Sequence, residues 1–399
     1  MSDWLAQAAA GRPDAFALRH GESGLDYAAL DARANVLASA LQARGVVAGD
    51  RVVFDPAPGI EVVALLHAVW RIGACAVPLN SRLAARERAE QLERLAPYRA
   101  VDPGDLLMSE SSPPTPPVLD LSTELEDAMP ALVLFTSGTT GRPKAAVITH
   151  GNLDASARAS TERLGTSAQD RWLLCLPLFH IGGLSILVRA AIDLAGVVLH
   201  ERFDVEAVSD AIDAGEVSRV SLVPTTLKRL LDHRQDRPAP AALRTVLLGG
   251  SAASAGLLAR ARSAGFPAIA SYGMTETTSQ VVTARLDDPA DGRVGAPLPG
   301  SRVRLRTTDG KEPPCGESGE IQVAGPTVFP SYFDDPGATT AAFDGVWFRT
   351  GDIGRFESDG GLRVLDRRSD LVISGGENVY PAEVEAALLE HPAVAEVAV

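Results

Sequence analysis

Four largely apolar runs, at residues 172–176, 196–200, 219–223 and 246–248, recur through the middle of the chain with stretches of helical spacing between them. Strands apolar on both faces must be covered on both, so this alternation predicts an α/β fold of parallel strands flanked by helices. The first hundred residues follow the same pattern. Asp26 stands as an N-cap before Leu30, Ala34, Leu37 and Leu41, a single helical face that Gly45 ends; 51–54 and 76–79 read as strands, with a helical run over 62–69 between them. Residues 102–123, which include SESSPPTPP, are rich in Ser and Pro without periodicity and read as an exposed loop between two lobes. After Asp287, short β-like pieces at 302–306, 319–323 and 362–365 are punctuated by Gly and Pro and predict a smaller β-rich subdomain from about residue 288.

The expected architecture is α/β. A large N-terminal domain, 1–366, holds two α/β sheet lobes and the β-rich subdomain; 367–399 supplies a hinge and the start of an α+β C-terminal domain. The first helix of that domain, 381–389, has little sequence left to pack against, so the chain is expected to stop early in a truncated domain.

With 399 residues, 46% of them hydrophobic, the chain can bury a large core, which excludes disorder. Its 37 basic and 51 acidic residues give a net charge of −14, and no basic patch is interleaved with aromatics, so nucleic acid is a poor partner. Cys75, Cys175 and Cys315 show no CxxC spacing and suit a reducing compartment better than zinc or disulfides. Neither a leader pattern nor a run of ~18 apolar residues is present. A soluble, cytoplasmic protein without membrane insertion is expected.

The sharpest chemical feature is an apolar strand, Leu132-Val133-Leu134-Phe135, running into Thr136-Ser137-Gly138-Thr139-Thr140-Gly141-Arg142-Pro143-Lys144. Glycines allow the positive-φ turns that aim backbone N–H groups inward, hydroxyls add donors, and the lysine supplies a compact cation. Such a loop is built to hold phosphate. It is not the P-loop of GxxxxGK[ST], because Ala145 follows the lysine and the β-prone run 146–149 replaces a helix N-terminus.

Thr136 to Lys144 resembles the signature loop of the acyl-adenylate-forming superfamily, which includes acyl-CoA synthetases, luciferases and peptide-synthetase adenylation domains. The likeness continues, in the family's order, through Leu176-Pro-Leu-Phe-His180-Ile-Gly182-Gly183, Leu248-Gly249-Gly250-Ser251, Ser271-Tyr272-Gly273-Met274-Thr275-Glu276-Thr277, Phe348-Arg-Thr-Gly-Asp352 and Asp366-Arg367-Arg-Ser369-Asp-Leu-Val-Ile-Ser-Gly375-Gly376. The resemblance implies that Glu276 and Thr139 attend Mg²⁺ on ATP, with Lys144 at the phosphates beside Thr136, Ser137, Gly138, Thr140 and Gly141. Gly249, Gly250 and Ser251 would lie along the adenine, Tyr272 would stack on it between Ser271 and the Gly273-Met274-Thr275 run, and Asp352 would accept from both ribose hydroxyls with help from Arg367. His180 and Gly182 would border the acyl carboxylate, and Ser369 would be the hinge about which Gly375-Gly376 swings.

The chemistry implied is in-line attack of a carboxylate on the α-phosphorus of ATP, then thioester formation with CoA. Positioning and charge neutralisation supply such a rate, so no Ser-His-Asp arrangement is called for. The family's catalytic lysine of the first half-reaction lies beyond Val399, so weak adenylation with retained ATP binding is expected.

Within the superfamily, residues 364–383 and the run after Pro177 look most like 2-succinylbenzoate-CoA ligases of menaquinone synthesis. Other aryl or medium-chain acyl-CoA ligases, and a module loading a carrier protein, stay open. A second carboxylate on the acid calls for a cation: Arg229, opposite Leu227, Leu230 and Leu231 on one helix, is the candidate, unless it faces water, as arginines mostly do. Thr277 and Thr278 are expected to line the same pocket. The partners implied are a small carboxylic acid, ATP and CoA; assembly into a homo-oligomer stays open.

Overall fold

The computed structural model describes residues 3–108, 126–136, 143–235, 237–367, 372–374, 377–379 and single positions thereafter. Among the described residues the large sheets are three. A nine-stranded sheet carries the four apolar runs side by side and parallel, as Thr245–Leu248, Arg219–Leu222, Arg171–Leu174 and Gly196–Leu199. Their residues are buried almost throughout, which is why they lack alternation. On one side Ala268–Met274 continues the parallel set, and Ser279–Thr283 and Ala296–Pro297 turn back antiparallel.

On the other side Phe16–His20 joins Gly196–Leu199 in parallel, Leu18 opposite Val197, and the hairpin partner Ser23–Asp26 forms the edge. The chain's first strand therefore belongs to the second lobe. Sequence reading passes it over because FALRH is short and ends in two charged or polar residues.

A six-stranded sheet runs Ser331–Tyr332, Lys144–Thr149, Pro130–Thr136, Cys75–Pro78, Arg51–Phe54, Arg99–Ala100. Here the expected boundary between the two lobes is corrected. Strands on either side of the Ser/Pro stretch pair with each other, Ala76 opposite Leu132, so that stretch is a connection within one sheet. Nor is all of it loop: Pro103–Met108 is a short helix, because the Asp102 carboxylate accepts the Gly104 N–H at 2.7 Å and Leu106 is fully buried. Residues 109–125 lie outside the described residues.

The helix Tyr27–Ala43 illustrates how local signals place an element. The Asp26 carboxylate accepts the Ala29 N–H at 2.7 Å, and Leu30, Ala34, Leu37 and Leu41 are all buried. Each such leucine is worth about 1.5–3 kcal/mol of burial. The β-rich part is a five-stranded antiparallel sheet that begins at Arg302–Arg306, centres on Ser318–Ala324 and Trp347–Phe356, and ends with Leu362–Arg367. Beyond it Val372–Ser374 and Glu377–Val379 pair as a two-stranded ladder. Ser369, Gly375, Gly376 and most of the expected 381–389 helix lie outside the described residues. Among the described residues no helix is long and apolar enough to cross a membrane.

Candidate functional site

Parallel sheets leave a crevice outside the carboxyl ends of their strands, where loops diverge and backbone groups are unpaired. Here that crevice is a cavity of about 800 Å³. Its walls include Val223, Gly249 and Gly250, which directly follow two of the central strands, and Ser271 and Gly273 on the third. Glu320 and the Arg349–Gly351 segment of the β-rich sheet close it from the other side.

At one end stand Thr136 and Lys144, directly opposite each other where the hairpin strands Pro130–Thr136 and Lys144–Thr149 part. Ser137, Gly138, Thr139, Thr140 and Gly141, which the loop would contribute, lie outside the described residues. Facing the hairpin is Glu276, on a 3₁₀ turn Thr275–Thr277 whose shape is fixed by Thr277: its hydroxyl accepts the Met274 N–H at 2.9 Å. Glu276 is only 8% exposed. Its Oε1 accepts from the Tyr332 hydroxyl at 2.9 Å and lies 3.5 Å from Thr136 Oγ1. Lys144 Nζ sits 5.0 Å from the centre of the Tyr332 ring. Tyr332 was not among the residues expected from sequence, and a two-residue strand gives no pattern that would single it out.

Gly249, Gly250, Ser271, Gly273, Met274 and Thr275 all line the middle of the cavity. Gly250 needs its φ of +82°, and a Cβ on Gly273 would lie 1.9 Å from the Ser279 carbonyl oxygen. Ser251 is exposed and is not on the wall. Tyr272 and Asp352 stand behind the wall: the tyrosine hydroxyl donates to Asp352 Oδ2 at 2.7 Å, and Gly351 and Thr350 form the surface in front of the aspartate. Asp352 and Arg367 are cross-strand partners in the β-rich sheet, which brings the two expected ribose residues together at backbone level.

A further part of the wall comes from the Leu176–Gly183 segment and the helix Ile181–Asp193. His180 is the N-cap residue of the helix Ile181–Asp193, without a side-chain cap bond, its ring centroid 4.6 Å from that of Phe179. Its surroundings and the cation of Arg82 hold its pKa below the ordinary histidine range, so it is neutral at pH 7. Gly182 lines the cavity with room to spare, whereas Gly183 is the sterically demanding glycine: a Cβ there would meet the Pro177 carbonyl oxygen at 2.6 Å. Thr277 and Thr278 are fully buried and hold backbone rather than wall, Thr278 through its hydroxyl on the Thr327 carbonyl at 2.8 Å. Ser279 and Gln280, one step further, are on the wall.

Arg229 is corrected. It is exposed on the outer face of the helix Pro224–Arg234, over the Phe203 ring at 5.2 Å, because the buried Leu227, Leu230 and Leu231 turn the helix the other way. A buried cation that does line the cavity is Arg189, 2% exposed, on the helix Ile181–Asp193. It donates to Ser160 Oγ at 2.9 Å and lies 4.6 Å from the Trp172 ring centre, while its Nε has no partner among the described residues. Burial lowers its pKa to about 10, so it stays charged at pH 7. Ser221 Oγ and Gln280 Oε1, also on the wall, are likewise unpartnered among the described residues. A buried charge left in this state asks for an anion. Its signal in the sequence is an arginine inside the otherwise apolar stretch 186–191.

The cavity thus joins a cation and a carboxylate at one end to a buried guanidinium at the other. Residues 5–333 match the AMP-binding enzyme family. The chain is 42% identical over 418 residues to the 2-succinylbenzoate–CoA ligase of Bacillus licheniformis, covering 100% of this chain and 86% of that one. It superposes with a TM-score of 0.92 on the o-succinylbenzoate CoA synthetase of Bacillus subtilis in complex with the acyl-adenylate intermediate, at 39% identity over 100% of this chain and 84% of the other. The same enzyme in complex with ATP and magnesium gives 0.91, at 39% identity over 99% and 86%. With a family match over most of its length and relatives this similar across all of it, the chain belongs to the AMP-binding enzyme family.

Proposed function

We propose that this chain is a 2-succinylbenzoate–CoA ligase, which activates the acid with MgATP to an acyl-adenylate and passes the acyl group to CoA. The observation that carries the choice of acid is Arg189: a buried, charged side chain on the cavity wall, its Nε unpartnered among the described residues, suits an acid with a second carboxylate better than benzoate or a fatty acid.

In the first step a carboxylate oxygen of the acid attacks the α-phosphorus, the bond to the bridging oxygen breaks, and pyrophosphate leaves. Lys144 neutralises charge on the departing phosphates. His180, neutral, stands at the reacting carboxylate and donates a hydrogen bond without pairing it as a salt, which would blunt its attack. Arg189 holds the distal carboxylate and so fixes the acid's register. Gly249, Gly250 and Ser271 pack along the base, and Asp352 with Arg367 serves the ribose once Tyr272 yields the oxygen it now holds. In the second step the CoA thiol attacks the acyl carbonyl and AMP leaves.

Glu276 fits a magnesium ion. The ion takes its ligands from phosphates, water and one or two carboxylates, so a single buried carboxylate suffices, and among the described residues no group of three or more metal-ligating side chains exists. When bound, the metal would offset charge on the phosphate oxygens.

The test is product analysis with ATP, Mg²⁺, CoA and a panel of acids, supplying preformed acyl-adenylates in parallel so that each half-reaction is read alone. The 2-succinylbenzoyl thioester should form in preference to benzoyl and medium-chain thioesters. Equal formation from acids lacking the second carboxylate would end this reading.

A further inference from the structure

Tyr332 touches both charged groups at the phosphate end, and it is held as if for that purpose. Its hydroxyl donates to Glu276 Oε1 at 2.9 Å, and its ring face carries Lys144 Nζ at 5.0 Å. The ring itself is 6% exposed and packed edge-on against Phe329, centroids 4.8 Å apart. Its backbone N–H is bound by Thr339 Oγ1 at 3.0 Å, and its strand pairs with the lysine's own, Tyr332 opposite Ala146. The next residue, Phe333, donates its N–H to the Ala145 carbonyl at 2.7 Å, one step from Lys144. The tyrosine's backbone and ring are therefore tied to the strand that carries the lysine.

We propose that Tyr332 is a positioning residue that sets Glu276 and Lys144 relative to each other. The hydroxyl occupies one carboxylate oxygen and fixes the side chain's rotation, leaving the other oxygen for a metal on the phosphates. The ring gives the ammonium a fixed resting place beside the same phosphates, where a free lysine would sample many rotamers. The proposal rests on the ligase reading for the identity of the ligand and on geometry for the rest.

Two substitutions separate the two roles. Tyr332→Phe removes the hydroxyl and keeps the ring; Tyr332→Leu removes both. ATP affinity is measured calorimetrically with Mg²⁺ and again in EDTA, with thermal unfolding of the free protein alongside. Tyr332→Phe should weaken MgATP binding about tenfold or more, as loss of a hydrogen bond to a charged group does, while ATP affinity in EDTA stays near the wild-type value. Tyr332→Leu should weaken binding in EDTA as well, and the phenylalanine variant should restore that part. A wild-type ratio of MgATP to metal-free affinity in Tyr332→Phe would overturn the proposal. So would equal loss under both conditions in both variants in step with a lowered unfolding temperature, which marks a structural role alone. Wild-type protein that binds no ATP under either condition would instead remove the ligase reading, and this proposal with it.

Discussion

At the scale of single residues the site is a problem in where charge can be left. Lys144 and Glu276 both touch Tyr332, and each is expected to matter most when phosphate charge shifts. Lys144→Ala should cut the rate of acid-dependent ATP–pyrophosphate exchange about 10²-fold, and Glu276→Gln should raise the magnesium concentration needed for half-maximal ATP binding, readable by isotope exchange and calorimetry. A Lys144→Ala protein exchanging at the wild-type rate would exclude the assigned role. Arg189→Met keeps the length and removes the charge. Affinity for a 2-succinylbenzoyl-adenylate analogue should fall by about 2–5 kcal/mol, with no comparable loss for the benzoyl analogue. Equal loss for both would place Arg189 in the packing and not in recognition. The contrast with Arg229 shows what a sequence can carry at this scale. Loop composition and residue order locate Lys144, Glu276 and Asp352, but which arginine meets the pocket depends on helical phase against a core, and leucines at 227, 230 and 231 turn Arg229 outward. An arginine within an apolar helix was the better clue, since burying it must be offset by something.

At the scale of elements, the most constrained piece is the return from Ala268–Met274 into Ser279–Thr283. Thr278 and Ser279 both have positive φ, 52° and 86°, though neither is glycine, and the Thr277 and Thr278 hydroxyls together with a Ser156 bond to the Thr278 carbonyl hold that turn. Gly273 makes the close approach feasible. Gly273→Ala would push a methyl into the Ser279 carbonyl at 1.9 Å and the Gln280 Cα at 2.6 Å, so the expected cost is about 3 kcal/mol or more, seen as a lowered urea midpoint. An unchanged midpoint would mean the turn is softer than this geometry requires. Strands with largely apolar runs were legible in advance, as were the Asp26 cap and the two strands that end at Thr136 and begin at Lys144. The Phe16–His20 strand and the pairing of Cys75–Pro78 with Pro130–Thr136 were not, because pairing between distant segments is chosen by the whole sheet and leaves no local periodicity.

At the scale of the whole molecule, the N-terminal helix Trp4–Gly11 is pinned over two buried histidines. His67 and His150 are 4% and 0% exposed, and neither His150 ring nitrogen has a partner among the described residues. Burial lowers both pKa values to about 4, against the pull of the nearby Asp3 carboxylate. Both are therefore neutral when folded, and the unfolded chain binds these protons first. Their contribution is intact above about pH 6.5 and is withdrawn as pH falls toward 4, by on the order of 2–3 kcal/mol for each. Asp3, whose pKa is lowered beside Arg71, keeps its own contribution through this window and loses it only further down. Urea unfolding at pH 7.5 and 4.5 should show the loss, roughly halved in His150→Leu; a pH-independent midpoint would refute it.

The cavity itself is the central matter, since Lys144 and Arg189 lie on the walls of one continuous space. Calorimetric competition between ATP and a non-hydrolysable 2-succinylbenzoyl-adenylate analogue measures this directly: one analogue should bind per chain and exclude ATP completely. Simultaneous binding of both ligands would show two separate sites and contradict the account.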